Sequence, residues 1–404
     1  MKKQVLSITV CIALAFTIAC KKMISPAPAT DSIMSAAIEG LTLEQNKKFS
    51  EGAEEFGEIY NEQTGLGPIY VATSCAGCHS GDNKGHPSTN LTRFGQSDTF
   101  GNKYLHLGAP QLQHFALPGF QPETLPTGAT SSKFIAPIVA GLGLIESIPD
   151  QEIIALADPF DKDGDGISGR VHWNHIPAWV SPLPNAIQQN DRVLCRFGRK
   201  AAVHNLHQQV VGAFNNDMGI TTSFMPIDPM NPSSGIHPAA ASGADIDDKS
   251  LVATVFYIQT LQAPIQRKQN DAEVMAGQYI FTKIGCAKCH TETMHTGNVT
   301  VSALSNKTIH PYSDFLLHDM GDALNDHYTE GFALSSEWRT TPLWGIGLAK
   351  DAQGGLMYLM HDGRAHSFEE AIQLHGGEGA ISKNNYQRLN ATEQKQLLQF
   401  LFSL

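Results

Sequence analysis

Apolar residues recur at helical spacing in four stretches, two in each half of the chain. The stretches that open each half begin with the capping sequences Thr42-Leu-Glu-Gln45 and Asn270-Asp-Ala-Glu273. The stretches that close each half are Asp248 to Gln262, stopped before Pro264, and Asn390 to Leu404. The pattern therefore predicts a pair of amphipathic helices in each half of the protein.

The two opening helices share a further feature. Each carries a glycine followed four residues later by a phenylalanine, Gly52 with Phe56 and Gly277 with Phe281. Each helix also precedes a Cys-x-x-Cys-His sequence, so the chain contains a loose internal repeat.

The paired cysteines carry the strongest chemical signal. The motifs are Cys75-Ala-Gly-Cys78-His79 and Cys286-Ala-Lys-Cys289-His290. Two thiols one turn apart can form thioethers to one porphyrin, and the next residue, histidine, can then bind its iron. The motifs predict two covalently bound c-type haems with His79 and His290 as proximal ligands. A zinc site is the weaker alternative, because its ligands would have to meet across some 200 residues.

A helix before the haem motif and another at the end of each half is the layout of a cytochrome c domain. We therefore expect a mainly α fold of two cytochrome c-like domains with long loops. The predicted domains are residues 41–264 and 270–404. The first is the longer and should carry a large insertion.

The N-terminus has the features of a targeting segment. Residues 1–19 combine two lysines with an apolar run, and they end directly before Cys20. This pattern predicts a lipoprotein signal peptide, lipidation of Cys20 and a tether over residues 20–40. An ordinary signal peptide is the alternative. We expect an exported, membrane-anchored lipoprotein that faces the periplasm or the cell surface.

Composition excludes some functions. With 28 Lys and Arg against 39 Asp and Glu, the formal net charge is −11, the opposite of a nucleic-acid binder. Hydrophobic residues make up 42%, an ordinary globular value, so disorder is not expected.

An acidic loop suggests a cation. Asp161, Asp163, Asp165 and Gly166 match the first half of an EF-hand loop, but position twelve is His172 instead of glutamate. Calcium binding and a solvated acidic turn both remain open.

Several segments together resemble a known family, the bacterial di-haem c-type oxidoreductases, some of which are described as thiol oxidoreductases. The segments are Gly65-Leu-Gly-Pro68, Ser74 to His79, Gly141 to Glu146, Asp161 to Arg170, Arg196-Phe-Gly198, Asp217 to Thr221, His318 to Gly321 and His361 to Ala365. This family is similar to the di-haem cytochrome c peroxidases and to the di-haem enzyme that matures tryptophan tryptophylquinone. The resemblance implies two facing haem domains, and in the peroxidases a calcium lies between them.

The resemblance also suggests distal iron ligands. The related peroxidases carry a haem ligand fourteen residues after a His-x-Gly motif, and the same count from His361 reaches His375. Bis-histidine ligation by His290 and His375 is therefore expected, with Met320 and His318 as alternatives. Met218, in the segment Asp217-Met-Gly219, is a further distal candidate, and the distal ligand of the N-terminal haem stays open.

Three functions fit the sequence. The first is an oxidoreductase in which one haem reacts with peroxide or an organic or thiol substrate, while the other exchanges electrons with a small redox protein or cytochrome. The second is a non-catalytic electron-transfer cytochrome, and the third is a haem-based sensor. Peroxide chemistry needs an acid–base group, and Glu146 is the candidate.

Overall fold

The computed structural model describes residues 34–79, 85–229, 231–235 and 243–404. Residues 34–404 cluster as one compact unit. Cys20, the signal peptide and residues 20–33 of the tether lie outside the described residues. The end of the predicted tether packs on the fold, where the Ile38 N–H donates to the Thr260 carbonyl (2.8 Å).

Helices form the framework of the described residues. Their bounds are α1 Leu43–Gly57, α2 Cys75–Cys78, α3 Leu142–Glu146, α4 Asp150–Ala155, α5 Leu206–Met218, α6 Asp248–Thr260, α7 Ala272–Lys283, α8 Ala349–Ala352, α9 Phe368–Leu374, α10 Ala380–Gln387 and α11 Ala391–Ser403. Within the described ranges, no helix is both long and apolar enough to cross a membrane.

The strands are short and form antiparallel ribbons. They are β1 Ile69–Tyr70, β2 Leu91–Phe94, β3 Phe115–Ala116, β4 Ser131–Phe134, β5 His172–Asn174, β6 Gln188–Gln189, β7 Arg192–Cys195, β8 Met294–His295, β9 Thr308–Ile309, β10 Leu317–Asp319 and β11 Glu337–Arg339. The pairs are β1 with β3, β2 with β4, β8 with β9 and β10 with β11, and β7 lies between β5 and β6. Long loops join these ribbons to the helices. Because the strands are only two to four residues long, helices are the main regular structure of the described residues.

The capping sequences explain where the long helices begin. Thr42 and Gln45 form the predicted capping box at the start of α1, and Asn390 and Glu393 form the one at α11. At α7 the predicted N-cap position is wrong by one residue. Asp271, not Asn270, caps that helix, because its carboxylate accepts from two N–H groups of the first turn.

The internal repeat has a physical basis in two matching helix crossings. α1 crosses α6 at Gly52, where a Cβ atom would lie 2.1 Å from the Ala253 carbonyl oxygen. α7 crosses α11 at Gly277, where a Cβ atom would lie 2.1 Å from the Gln396 carbonyl oxygen. Only glycine lets the two backbones approach this closely.

The phenylalanines of the repeat connect these crossings to the cysteine motifs. The Phe56 ring centroid lies 5.3 Å from that of Tyr257 and 6.1 Å from that of His79. In the second half, the Phe281 ring lies 5.2 Å from Phe400 and 6.2 Å from His290. The same arrangement therefore supports the motif histidine in both halves.

Candidate functional site

Two cavities contain the cysteine motifs. The C-terminal cavity is lined by Cys286, Cys289 and His290 and encloses about 1430 Å³ of empty space, counting its open mouth. The N-terminal cavity is lined by Cys75, Cys78 and His79 and encloses about 1170 Å³ on the same measure. The two cysteine pairs line different cavities, so they do not form one four-cysteine zinc site.

Burial makes the motif thiols poor nucleophiles. It raises the pKa of Cys75 to about 12, that of Cys78 to about 11 and that of Cys286 to about 12. A reactive Cys-x-x-Cys pair shows the opposite shift, because it works as the thiolate. Two half-buried thiols beside a histidine in a largely apolar cavity fit a covalently attached haem, and each cavity has this set.

His290 is oriented as an iron ligand would be. Its Nδ1–H donates to the Tyr312 carbonyl (2.9 Å), so Nε2 is the nitrogen left for a metal. Burial also lowers the pKa of His290 to about 4, which keeps the imidazole neutral.

His375 lines the same cavity and has the same orientation. Ser367 caps α9, and His375 follows directly after that helix. The His375 Nδ1–H donates to the Ala371 carbonyl (2.7 Å), which again leaves Nε2 available. Burial lowers the pKa of His375. His361 also lines this cavity and burial lowers its pKa, but its Nε2 lies 2.7 Å from an Asp326 oxygen. His290 and His375 are therefore the two neutral imidazoles of this cavity whose Nε2 atoms are left for a metal.

The alternative ligands also line the C-terminal cavity, but His318 has other partners. Its Nε2 lies 2.9 Å from an Asp314 oxygen, and its Nδ1 lies 2.7 Å from a Glu378 oxygen. Burial opposes the charge, but the hydrogen bonds to both carboxylates raise the pKa of His318 far above its usual range. An imidazolium bonded at both nitrogens has no lone pair for iron, whereas the Met320 thioether has one.

The N-terminal cavity differs in its donors. Met218, the last residue of α5, lines it and is buried. Gln209 and Asp217 are polar residues of the same wall, and burial raises the pKa of Asp217 to about 6. Among the described residues that line this cavity, His79 is the only histidine.

Glu146 lies behind the wall of the N-terminal cavity and does not line it. One of its oxygens accepts from the Leu206 N–H (2.7 Å), and the other accepts from the Gln259 amide (2.7 Å). Burial raises the pKa of Glu146. The carboxylate holds the start of α5, whose first residue, Leu206, is part of the wall.

The acidic loop lies beside the second cysteine motif. The carboxylate oxygens of Asp161, Asp163 and Asp165 lie within 4.8 Å of one another. Asp165 also pairs with Lys288, inside the motif, at 2.8 Å. His172 cannot complete a calcium shell, because its Nδ1–H donates to the Lys200 carbonyl and its Nε2 accepts from the Phe332 N–H. Calcium binding here stays a prediction.

The two cavities share a wall. Arg339, at the end of β11, and Thr341 line both of them. Arg199 lines the C-terminal cavity. Neither arginine was among the candidate residues from sequence. The sequence does contain a clue to Arg339. The run Arg339-Thr-Thr-Pro-Leu343 resembles the segment before the His-Asp-Gly motif in the peroxidases.

Two solved structures are similar over most of their length. One is Kuenenia stuttgartiensis hydrazine synthase pressurised with xenon, at 14% identity, 95% coverage of both chains and a TM-score of 0.40. The other is a MauG-like protein associated with microbial copper homeostasis, at 15% identity, 91% coverage of both chains and a TM-score of 0.40. No curated protein matches the chain.

A family model matches residues 130–404, about two thirds of the chain. Its description is "Di-haem oxidoreductase, putative peroxidase". The matched span includes the second cysteine motif, while the first lies before it. The family implies two haems. The chain belongs to the di-haem oxidoreductase family.

Proposed function

We propose that the protein is an exported di-haem c-type oxidoreductase with two unequal sites. The C-terminal site relays electrons, and the N-terminal site meets the substrate. The observation that carries this proposal is the unequal supply of histidines. Four histidines line one cavity, and two of them, His290 and His375, leave Nε2 available, whereas His79 is the only histidine among the described residues that line the other.

The residues of the C-terminal cavity suit a closed site. Two imidazoles that line one cavity donate their Nδ1–H groups to backbone carbonyls, so both Nε2 atoms are available, and such a pair would hold a haem iron without leaving room for a substrate. A site of this kind exchanges electrons without binding substrate. Covalently bound haem would supply the redox chemistry in both cavities.

The residues of the N-terminal cavity suit a small substrate. Apolar side chains form most of the wall, while Gln209 and Asp217 offer polar contacts. Peroxide is the substrate that the family description favours. An organic or thiol substrate is the alternative within the same class.

Within the described part of the chain, one cysteine lies outside the two motifs, and it does not support thiol chemistry by the chain itself. Cys195 is 1% exposed in β7, and burial raises the pKa of its thiol to about 12. A reactive cysteine needs access and a lowered pKa. Cys195 therefore packs as a small apolar side chain.

A non-catalytic electron-transfer cytochrome is the second candidate, and Met218 favours it. A thioether that lines the N-terminal cavity would close that site if it bound the iron. A resting spectrum separates the two functions. One high-spin and one low-spin signal support the oxidoreductase, and two low-spin signals that persist on reduction support the carrier.

Location and partners belong to the same proposal. Lipidation of Cys20 would anchor the protein to a membrane, and a small redox protein or cytochrome would exchange electrons with it. The net charge of −11 favours a partner with a basic surface and disfavours nucleic acid.

We expect mass spectrometry of the mature protein to find two covalent haems. Each cavity pairs two thiols with a histidine, so a Cys75→Ala/Cys78→Ala variant should lose one haem and keep the other. A wild-type chain with four free thiols and bound zinc would overturn the proposal.

The position of Glu146 leads to a second expectation. Because the carboxylate lies behind the wall, Glu146→Gln should reduce peroxide turnover far less than the roughly 10²–10⁴-fold that a general acid–base group contributes. Stopped-flow or steady-state peroxide assays measure this effect. A loss of that full size, with both haems retained, would establish Glu146 as the acid–base group.

A further inference from the structure

Two arginines are buried at the junction of the cavities. Arg199 is 5% exposed and Arg339 is 8% exposed. The Arg199 guanidinium donates to the Ile135 carbonyl (2.7 Å). The Arg339 guanidinium donates to the carbonyls of Gly198 (2.9 Å) and Thr340 (3.2 Å). Backbone carbonyls satisfy hydrogen bonds, but they do not neutralise charge.

No carboxylate of the described residues lies within ion-pair distance of either arginine. Asp362 acts on Arg199, and Asp314 acts on Arg339, only from further away. Both carboxylates already have partners. Asp362 pairs with Arg364 (2.7 Å), and Asp314 pairs with His318 (2.9 Å).

Among the buried cations of the described residues, Lys200 shares this lack of a counter-charge, since its Nζ donates to the carbonyls of Leu334, Ser335 and Glu337. Other arginines of the fold do have a carboxylate partner. The buried Arg196 pairs with Asp150, and Arg93 pairs with Glu330 (2.7 Å). A buried charge is costly unless an opposite charge compensates it. The junction therefore needs anionic groups that the described side chains do not provide.

Both arginines remain cations at neutral pH. Burial lowers the pKa of Arg199 to about 10. Burial and the nearby Arg199 charge lower the pKa of Arg339 to about 9. An anion between or beside two cations that repel each other would stabilise both of them.

We propose that Arg199 and Arg339 bind the propionate carboxylates of the haems, Arg199 in the C-terminal cavity and Arg339 in both. The inference rests on the proposed function, because it needs a haem in each cavity. Each haem carries two carboxylates, the group that arginine binds best through paired N–H donors. Each arginine is assigned to a haem by the cavity that it lines. Arg199 lines the C-terminal cavity only, and Arg339 lines both cavities.

The two arginines are then positioning residues with an electrostatic effect. A cation near a haem favours the reduced form, which carries one more electron, and the effect is strong where water is excluded. Removing Arg199 should lower the potential of the C-terminal haem alone. Removing Arg339 should lower the potentials of both haems.

A redox titration of the holoprotein, followed by visible and EPR spectra, tests this pattern. We expect Arg199→Gln to lower the equilibrium constant for reduction of the C-terminal haem about tenfold, which is a fall of about 59 mV in its one-electron potential. The potential of the other haem should not change. We expect Arg339→Gln to shift both. The C-terminal signal is the one that disappears in a Cys286→Ala/Cys289→Ala variant.

Two further variants serve as controls. Arg192 stacks on Phe332 with 3.6 Å between its guanidinium carbon and the ring centroid, and it lines neither cavity. Arg192→Gln removes the same charge and should leave both potentials unchanged. Arg339→Lys keeps the cation and should recover most of the shift, even if the glutamine variant folds poorly.

Other outcomes separate the failure of this inference from the failure of the proposed function. Two haems whose potentials do not respond to Arg199→Gln or Arg339→Gln would overturn the inference alone. Equal shifts from Arg192→Gln would also overturn it, because net charge would then explain the effect. A wild-type protein without two haem signals would overturn the proposed function itself.

Discussion

A His375→Ala variant is expected to contain one new high-spin haem, at a raised potential, with both haems still covalently bound. His375 and His290 line one cavity, and each donates its Nδ1–H to a backbone carbonyl. In the proposed haem site, alanine would leave the thioether bonds of Cys286 and Cys289 intact but remove one of the two imidazoles. EPR and visible spectra measure the change of spin state, and a redox titration measures the potential.

His366 offers a matched control for this variant. It precedes the same helix, α9, its Nδ1–H donates to the Met357 carbonyl (3.0 Å), and it does not line the C-terminal cavity. His366→Ala should leave both spin states unchanged. If the low-spin signal survives His375→Ala intact, His375 is not the ligand, and Met320 becomes the next candidate.

Gly52→Ala is expected to destabilise the protein by about 1–3 kcal/mol, as overpacking of a tight contact does. The new Cβ would lie 2.1 Å from the Ala253 oxygen and 2.7 Å from the Tyr257 Cβ, so α1 must move away from α6. The Phe56 ring, which lies near His79, would move with that helix. The midpoint of urea unfolding, followed by circular dichroism, measures the loss.

Gly57, the last residue of α1, is the control for this substitution. A Cβ atom there meets nothing within 4 Å. Gly57→Ala should therefore leave the free energy of unfolding unchanged or raise it slightly, because alanine favours the helix. Equal midpoints for the two variants would mean that the α1–α6 crossing is not tightly packed. Gly277→Ala should repeat the Gly52→Ala result in the second half.

Local features of the fold could be predicted from sequence because neighbouring residues determine them. The helix starts at Thr42 and Asn390 depend on a side chain and a backbone N–H three residues apart. The cysteine motifs are equally local. At α7, Asn270 and Asp271 are both good caps, and only the path of the chain before the helix decides between them.

Features that join distant segments could not be predicted in this way. The missing counter-charge of Arg339 depends on Arg199 and Asp314, and no spacing rule links these residues. The same is true of Glu146, whose partners Leu206 and Gln259 lie 60 and 113 residues away. The sequence shows which residues could take part in chemistry. It does not show which of them are already paired with other side chains or backbone groups in the folded protein.

The wall shared by Arg339 and Thr341 has a thermodynamic consequence. Any event in one cavity that displaces this wall changes the energy of the other cavity. Linkage then requires reciprocity: if reduction of one site changes ligand affinity at the other by some factor, binding there changes the reduction equilibrium by the same factor. If the two sites have the proposed roles, the segment around Arg339 and Thr341 would couple the redox state of the C-terminal site to substrate binding at the N-terminal site.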